Sequence, residues 1–512
     1  MPSFIPNILV IAVTLFLSWR LCALSYRFVL HPLRQYPGPS IAKLSSLYGA
    51  FLALTKRSHL IIAREHQKYG PVIRIGPDRL TFNSVNAVQD IYQNPRMVKS
   101  SAYRAMTGNK TLNVISIKDG DEHRRKRKII SQPIEGRALR EFERIILAQI
   151  DIFISLVHES AKTGQVLNMT QYLQRMVMDI IGHLAFGYDL NLQKSDTNRH
   201  LPSGFDRGRA RISLFMQYPR LLALDGLVKF LTKKIRERIL NTLGEMVAQR
   251  TAQATHSMSD FYSFAAGNLD EGSGDIENSE LWSEALVFVS AGGTPPATLM
   301  AALLFYLSRY PECYAVVAAE IRSTFDSGSS IKDGPKLASC RYLRACIDET
   351  LRLAPPTIGT LWREQDPDDT DTSPLSIDGH IIPKGTNVAV STYALHHDES
   401  IFPDPYRFQP ERWIECDEKG HALMNKAFIP FLVGPRSCPG KKISYLETSV
   451  TIAKLLWYFD FEKPSGSVGE LGGGQAGKLD GRERTDEFQL YDVFSASHDG
   501  PNLLFHIREN VI

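Results

Sequence analysis

The sequence predicts a mainly α protein with a minor β portion, preceded by one membrane-crossing helix. Three observations carry that prediction. Helical periodicity dominates from about residue 120 to 320. Short segments with strand character occur only near the two ends of the body. The N-terminal stretch is almost wholly apolar.

Residues 8–19 carry no charge, and the apolar run resumes over residues 21–24 after Arg20. With Phe4 and Ile5 it approaches the ~20 residues that a spanning helix needs. A cleaved signal peptide, a spanning anchor and a buried helix compete for this segment. A cleaved signal wants basic residues ahead of the run and a small-residue cleavage site. No Lys or Arg precedes the run, and Ala23-Leu24-Ser25 is a poor site. Arg20, Arg27 and Arg34 follow it, which favours an anchor with a cytoplasmic body. Arg20 reaches the interface by extending its aliphatic stem. Pro32, Pro37 and Pro39 then read as a stiff linker, since proline fixes φ and has no N–H. The expected organisation is an anchor over 4–24, a proline-rich linker over 25–40 and one body over 41–512.

Within the body, residues 61–69 read as a helix. Residues 72–75 and 80–82 flank a Gly76-Pro77-Asp78 turn and read as a β-hairpin. Residues 375–390 hold short strands and turns, and a further helix runs from 445 to about 459. Residues 285–308 contain no charged side chain and are long enough to span a membrane. The adjacent Pro295 and Pro296 argue otherwise, because they remove two backbone donors and disturb the preceding turn. A buried, kinked central helix lining a cavity fits better.

The 512 residues are 43% hydrophobic and 22% charged, as in ordinary globular proteins, and length admits either several domains or one large enzyme domain. A net charge of +4 without a basic stripe interleaved with aromatics gives no support to nucleic-acid binding. The six cysteines show neither zinc-like spacing nor a disulfide framework, and most read as small buried hydrophobes. Gly472 to Lys478 mimics a phosphate loop, but Leu479 stands where a Ser or Thr should bind magnesium, so it reads as a surface loop. The acidic run 366–371 reads as solvated loop, not a metal site.

Cys438 differs from the other cysteines in its neighbours. Residues 431–440 read Phe431-Leu-Val-Gly434-Pro-Arg436-Ser-Cys438-Pro-Gly440. A thiolate that ligates iron needs a tight turn whose N–H groups face the sulfur. Gly434 and Gly440 permit that turn. Arg436 can hold a haem propionate in a charge-assisted pair, and Phe431 can pack beside the sulfur and exclude water.

This run resembles the F-x-x-G-x-R-x-C-x-G motif of the cytochrome P450 family, and further landmarks follow in order over residues ~35–510. The resemblance implies the cytochrome P450 fold, haem b bound through the Cys438 thiolate, and oxidation of a lipophilic small molecule with O2. Glu349-Thr-Leu-Arg352, with its two charges on one helix face, is similar to the family's E-x-x-R motif. In isolation such a pair is a weak surface ion pair. The resemblance instead implies a buried network of Glu349, Arg352 and Arg412, the last from Pro410-Glu411-Arg412-Trp413. His123 and Arg127 resemble the propionate-contacting pair, and Arg363 sits where many members carry another propionate arginine. Taken alone, these are solvated basic residues. The other basic residues of that run (Arg124, Arg125, Lys126, Lys128), with Lys441 and Lys442, are expected to form a proximal face for an acidic NADPH-cytochrome P450 reductase.

One landmark departs from the family. Where most members carry an acid and an alcohol that relay protons to the reacting oxygen, this chain reads Ala291-Gly292-Gly293-Thr294-Pro295-Pro296. Proline cannot relay a proton. Thr294 could take over from one position earlier, a substrate hydroxyl could supply the relay, or the reaction could be a desaturation, rearrangement or coupling without oxygen insertion. Monooxygenation is the first reading, because the thiolate itself promotes O–O cleavage. A non-catalytic haem-binding protein is a further alternative. By resemblance, residues 103–112, 290–295, 357–361 and 494–497 line the substrate pocket. Their apolar character implies a neutral, lipophilic substrate. Residues 340–349, 393–397 and 500–501 are similar to fungal benzoate-hydroxylase-like and pisatin-demethylase-like members, many of them in secondary metabolism. The expected location is the endoplasmic reticulum membrane, crossed once, with the catalytic domain facing the cytoplasm.

Overall fold

The N-terminal apolar run forms helix α1 (Phe4–Val29), whose Val10, Leu15, Trp19 and Leu21 are exposed. Its length and apolar character suit a membrane crossing. The structure, a computed structural model, describes residues 4–107, 111–132, 136–254, 260–266, 268–269 and 279–508. The segment 25–40 differs from a free-standing linker. Helix α1 continues through its first residues, Pro32–Gln35 forms one 3-10 turn, and Leu33 and Tyr36 are buried. The Pro37 carbonyl accepts a hydrogen bond from the Arg74 N–H at 2.7 Å. Burying Leu33 and Tyr36 docks the chain where prolines alone would have held it extended.

The hairpin read from the sequence is present as β1 (Val72–Gly76) and β2 (Arg79–Phe82), paired antiparallel. Three strands extend it: β3 (Met97–Lys99), β4 (Arg363–Gln365) and β5 (Asn387–Val390), in the order β1-β2-β5-β4-β3. β5 joins β2 in parallel, and β3 pairs antiparallel with β4 so that Lys99 stands opposite Arg363. Like charges directly opposite one another destabilise a sheet, so this register needs a compensating anion.

Seven helices position the site. They are α2 (Gly120–Ser131), α3 (Met169–Phe186), α4 (Leu201–Gln217), α5 (Glu280–Gly292), α6 (Pro295–Leu307), α7 (Arg341–Leu353) and α8 (Lys441–Tyr458). The uncharged stretch 285–308 is broken between α5 and α6, as the two prolines require, and α6 is buried from Pro296 to Leu307. Helices α3, α6, α7 and α8 share one hydrophobic core. Two close approaches explain the adjacent glycines. A Cβ on Gly292 would lie 2.5 Å from Ile181 Cδ1, and one on Gly293 would lie 2.7 Å from the Val289 carbonyl oxygen.

Helix α7 ties this core to the segment that leads into the cysteine loop. Glu349, wholly buried, accepts from Arg352 Nη2 at 2.8 Å and Nε at 2.9 Å, and from Arg412 Nε at 3.0 Å. Trp413 Nε1 at 2.9 Å and the Gln409 N–H at 3.1 Å complete its shell. Burial pushes the Glu349 carboxyl up, but the two guanidinium groups prevail and hold it below its ordinary value. Replacing it leaves two buried cations without their anion. Glu349→Gln is expected to cost roughly 3–5 kcal/mol of stability, seen as a lowered urea midpoint for the full-length chain in detergent.

Candidate active site

The cysteine loop and the basic residues His123, Arg127, Arg363 and Arg436 converge on one cavity of about 550 Å3 bounded by α3, α4, α5, the 357–363 segment and the cysteine loop. The loop's shape follows from its glycines. Gly434 has φ +77°, and a Cβ there would lie 2.2 Å from the Tyr92 carbonyl oxygen. Leu432 also adopts positive φ, and the Cys438 N–H donates to the Phe431 carbonyl at 2.8 Å. Gly440 caps α8. The Cys438 sulfur is open to the cavity yet set deep among protein atoms. Burial pushes its thiol up, while the Gly440 N–H and the charges of Arg127 and Lys441 favour the thiolate. Phe431 lines the cavity at the same place and packs against Tyr445.

A cluster of basic side chains lies along the adjoining wall. His123, Arg127, Arg363 and Arg436 all line the cavity, and so does Lys99, which sequence reasoning missed. Lys99 is buried and held well below its ordinary value, by burial first and then by Arg363 and Arg436, against a weaker opposing effect of Glu284. His123 is pushed down to about 3 by burial and by Arg436, Lys99, Arg127 and Arg363. The acid that acts on Lys99, Glu284, is held by other groups, 3.2 Å from Lys126 and 2.9 Å from the Val114 N–H. Buried cations without matching anions call for an anionic ligand, and the two carboxylates of haem fit that need beside the cysteine. Arg436 also has a structural part to play. Its terminal nitrogens donate to the Ile117 and Lys118 carbonyls, each at 2.6 Å, so it braces the 117–119 turn while adding charge to the cluster.

Two expectations change. The basic face loses Lys126, which is buried and lies 3.1 Å from Glu280 and 3.2 Å from Glu284, because the turn of α2 points it at α5. Arg125 also pairs with Glu280, at 2.6 Å, so Arg124, Lys128, Lys441 and Lys442 carry most of what remains exposed. Thr294 is buried at the helix break, but its hydroxyl accepts from Arg209 Nη1 of α4 at 2.8 Å, and its neighbours Gly292 and Pro295 line the cavity instead. Of the expected substrate segments, Tyr103, Met106, Ser290, Thr357, Leu361 and Phe494 line the cavity, and residues 108–110 lie outside the described residues. The α3 and α4 walls, with Ile181, Leu184, Phe205 and Arg209, carry no motif and were legible only through tertiary packing. Glu447 of α8 also lines it, pushed up to about 8 by burial.

The two loop glycines are expected to separate cleanly. Gly434→Ala meets both a forbidden φ and the Tyr92 carbonyl, and should abolish uptake of the haem that the resemblance implies. At Gly440 an added Cβ makes only ordinary contact, 3.9 Å from the Cys438 sulfur, so Gly440→Ala should load haem, with a shifted Soret band as its main effect. Absorbance of the two purified variants checks this.

The comparisons with known proteins agree with the geometry. The family model for cytochrome P450 matches residues 39–471. The cytochrome P450 monooxygenase poxM of Penicillium oxalicum is 32% identical over 98% of this chain and 96% of its own length. AKT7 of Alternaria alternata is 32% identical over 94% of both chains, and apf7 of Gibberella fujikuroi is 30% identical over 94% of this chain and 95% of its own. The chain belongs to the cytochrome P450 family, whose members are oxidoreductases that hold haem through a cysteine thiolate.

Proposed function

We propose that this chain is a haem-thiolate monooxygenase that oxidises a small, largely apolar molecule in fungal secondary metabolism. The observation that carries the reading is the opening of the Cys438 sulfur into the cavity beside a cluster of otherwise uncompensated cations. When bound, haem supplies the activation of O2. The chain's own residues do the rest. Cys438 holds the iron, and the Gly440 N–H, Arg127 and Lys441 lower the energy of its thiolate. Lys99, His123, Arg127 and Arg363 hold the carboxylates, and Arg436 fixes the turn from which α2 starts. Phe431 shields the sulfur, and the apolar walls of α3 and α5 exclude water from the reacting position. Electrons come from NADPH through a separate reductase docking on Lys441, Lys442 and the exposed basic residues of α2.

The localisation belongs to the same proposal: α1 crosses the endoplasmic reticulum membrane once and the body faces the cytoplasm. Exposed apolar side chains support it, among them Ile41, Phe51 and Leu54 near α1 and Leu227, Phe230 and Leu231 in the helix Asp225–Leu231. Phe51 and Leu54 stand on Leu47–Thr55, which packs on α4, and α4 packs on the turn that leads to Phe230. A chain lacking residues 1–30 is expected to keep partial binding to liposomes, and Phe230→Glu with Leu231→Glu to abolish it in flotation assays. Equal flotation of both would remove this face from the proposal.

A second reading, without oxygen insertion, is favoured by Pro295 and by the engagement of Thr294 with Arg209. Mass spectrometry of host metabolites under isotopically labelled dioxygen separates the two. The expected product is lost completely in Cys438→Ala and carries one labelled oxygen. A Cys438-dependent product without label would establish rearrangement, desaturation or coupling instead. Absence of a thiolate-type carbon monoxide spectrum from the folded protein would defeat both.

A further inference from the structure

The cavity's cations fall into two groups. Lys99, His123, Arg127, Arg363 and Arg436 act on one another and answer to the cofactor. Arg209 stands apart on α4, and the charged group acting on it is Asp206 of its own helix. It lines the cavity and is 6% exposed. One terminal nitrogen donates to Thr294 Oγ1 at 2.8 Å and the other to the Asp206 carboxylate, while Nε has no partner among the described residues. A guanidinium carries five N–H groups, so these two bonds leave donors over in a buried position, where an unmet donor is costly. The neighbouring Arg211 differs, because Asp225 takes both its Nε and Nη2.

The surroundings explain why a donor sits there. Pro295 and Pro296 offer no N–H to the carbonyls of Ala291 and Gly292, so the helix break places polar backbone in an otherwise apolar wall. Arg209 reaches this break from the opposite helix and is fixed on both sides, by Thr294 and by Asp206. Burial pushes the Arg209 guanidinium down and the Asp206 carboxyl up.

We propose that Arg209 is a specificity-determining residue that receives a carbonyl or carboxylate oxygen of an otherwise apolar substrate and holds it at the helix break. This rests on the reading of the cavity as a haem and substrate chamber. It adds a polar anchor to the expected lipophilic substrate, and it makes Thr294 a positioning residue for Arg209.

The test is binding, not turnover. Full-length haem-loaded protein is titrated with dodecanoic acid, methyl dodecanoate and dodecane, and dissociation constants are read from the visible spectrum and by equilibrium dialysis. Wild type is expected to bind an oxygen-bearing probe about tenfold or more tighter than dodecane. Arg209→Met should bring the probes within twofold while leaving dodecane unchanged, and Thr294→Val, which leaves Asp206 as the remaining anchor of Arg209, should lower the preference part-way. Acid bound more tightly than ester identifies a carboxylate ligand, and parity identifies a neutral carbonyl. Should Arg209→Met fail to load haem, Arg209→Lys, which keeps charge but not the fork, should reduce the preference. An undiminished preference in the loaded Arg209 variants, or none in wild type, overturns the proposal. The thiolate-type carbon monoxide spectrum separately reports on the cofactor reading, so the two can fail independently.

Discussion

The carboxylate of Glu349 lies at the centre of the structure, where no water reaches it and four side-chain or main-chain groups donate to it. A buried anion of this kind persists only because every lone pair is used and two cations share its charge. Arg352 does more than neutralise it. Its Nη1 also donates to the carbonyls of His396 and Pro405, each at 2.7 Å, and Nη2 reaches the carbonyl of Arg407 at 3.3 Å. One ion cluster thereby fastens helix α7, the end of the strand region and the irregular segment 403–413. The helix Glu418–Ala427 and then the cysteine loop follow that segment, so the position of the Cys438 sulfur depends on a network that never touches it.

The cavity has the opposite electrostatic character. The protein there gathers basic side chains, to the point of setting Lys99 opposite Arg363 across paired strands, while burial pushes the two acids that line the cavity, Glu284 and Glu447, up toward their neutral forms. Burial first, and then the neighbouring basic groups, push His123 down to about 3 and hold Lys99 far below its ordinary value, so both favour their neutral forms while the cluster stands by itself. Such a cluster is tolerable in a protein whose native state includes a dianionic cofactor. The two constructions are complementary. The Glu349 cluster is satisfied internally and fixes the loop, whereas the cavity cluster is satisfied by what binds.

Much of this was legible before any coordinates, for a physical reason. The hairpin, the broken central helix and the cysteine loop are set by local rules: a turn between alternating segments, prolines that cannot donate, glycines where the chain reverses. The partners of Glu349 were legible only through family resemblance, and Trp413 as a further donor was not legible at all, because its indole meets the carboxylate by tertiary packing. Lys126 shows the limit from the other side. Within Arg124 to Lys128 composition reads as one basic surface, yet helical rotation turns Lys126 inward to Glu280 and Glu284 while Arg124 and Lys128 stay outside. Lys99 and Arg209 escaped for the same reason, since a single cation in an unremarkable segment acquires meaning only from what the fold places opposite it.

The helix break draws these threads together. Two prolines in the central helix would be a loss if the freed carbonyls met only hydrocarbon, because unpaired backbone acceptors are costly in a buried wall. The break is nonetheless held in place, since α6 is buried along almost its whole length and Ile181 and Met178 of α3 pack closely on Gly292 and Gly293. A polar gap in an apolar cavity is tolerated where something polar fills it. Thr294, which follows the two glycines, turns its hydroxyl to Arg209, and Arg209 brings donors to the same gap from α4. The departure from the family pattern therefore leaves polar groups at this point, but of another kind: a hydroxyl held by a guanidinium from the facing helix in place of an acid and an alcohol on the helix that breaks.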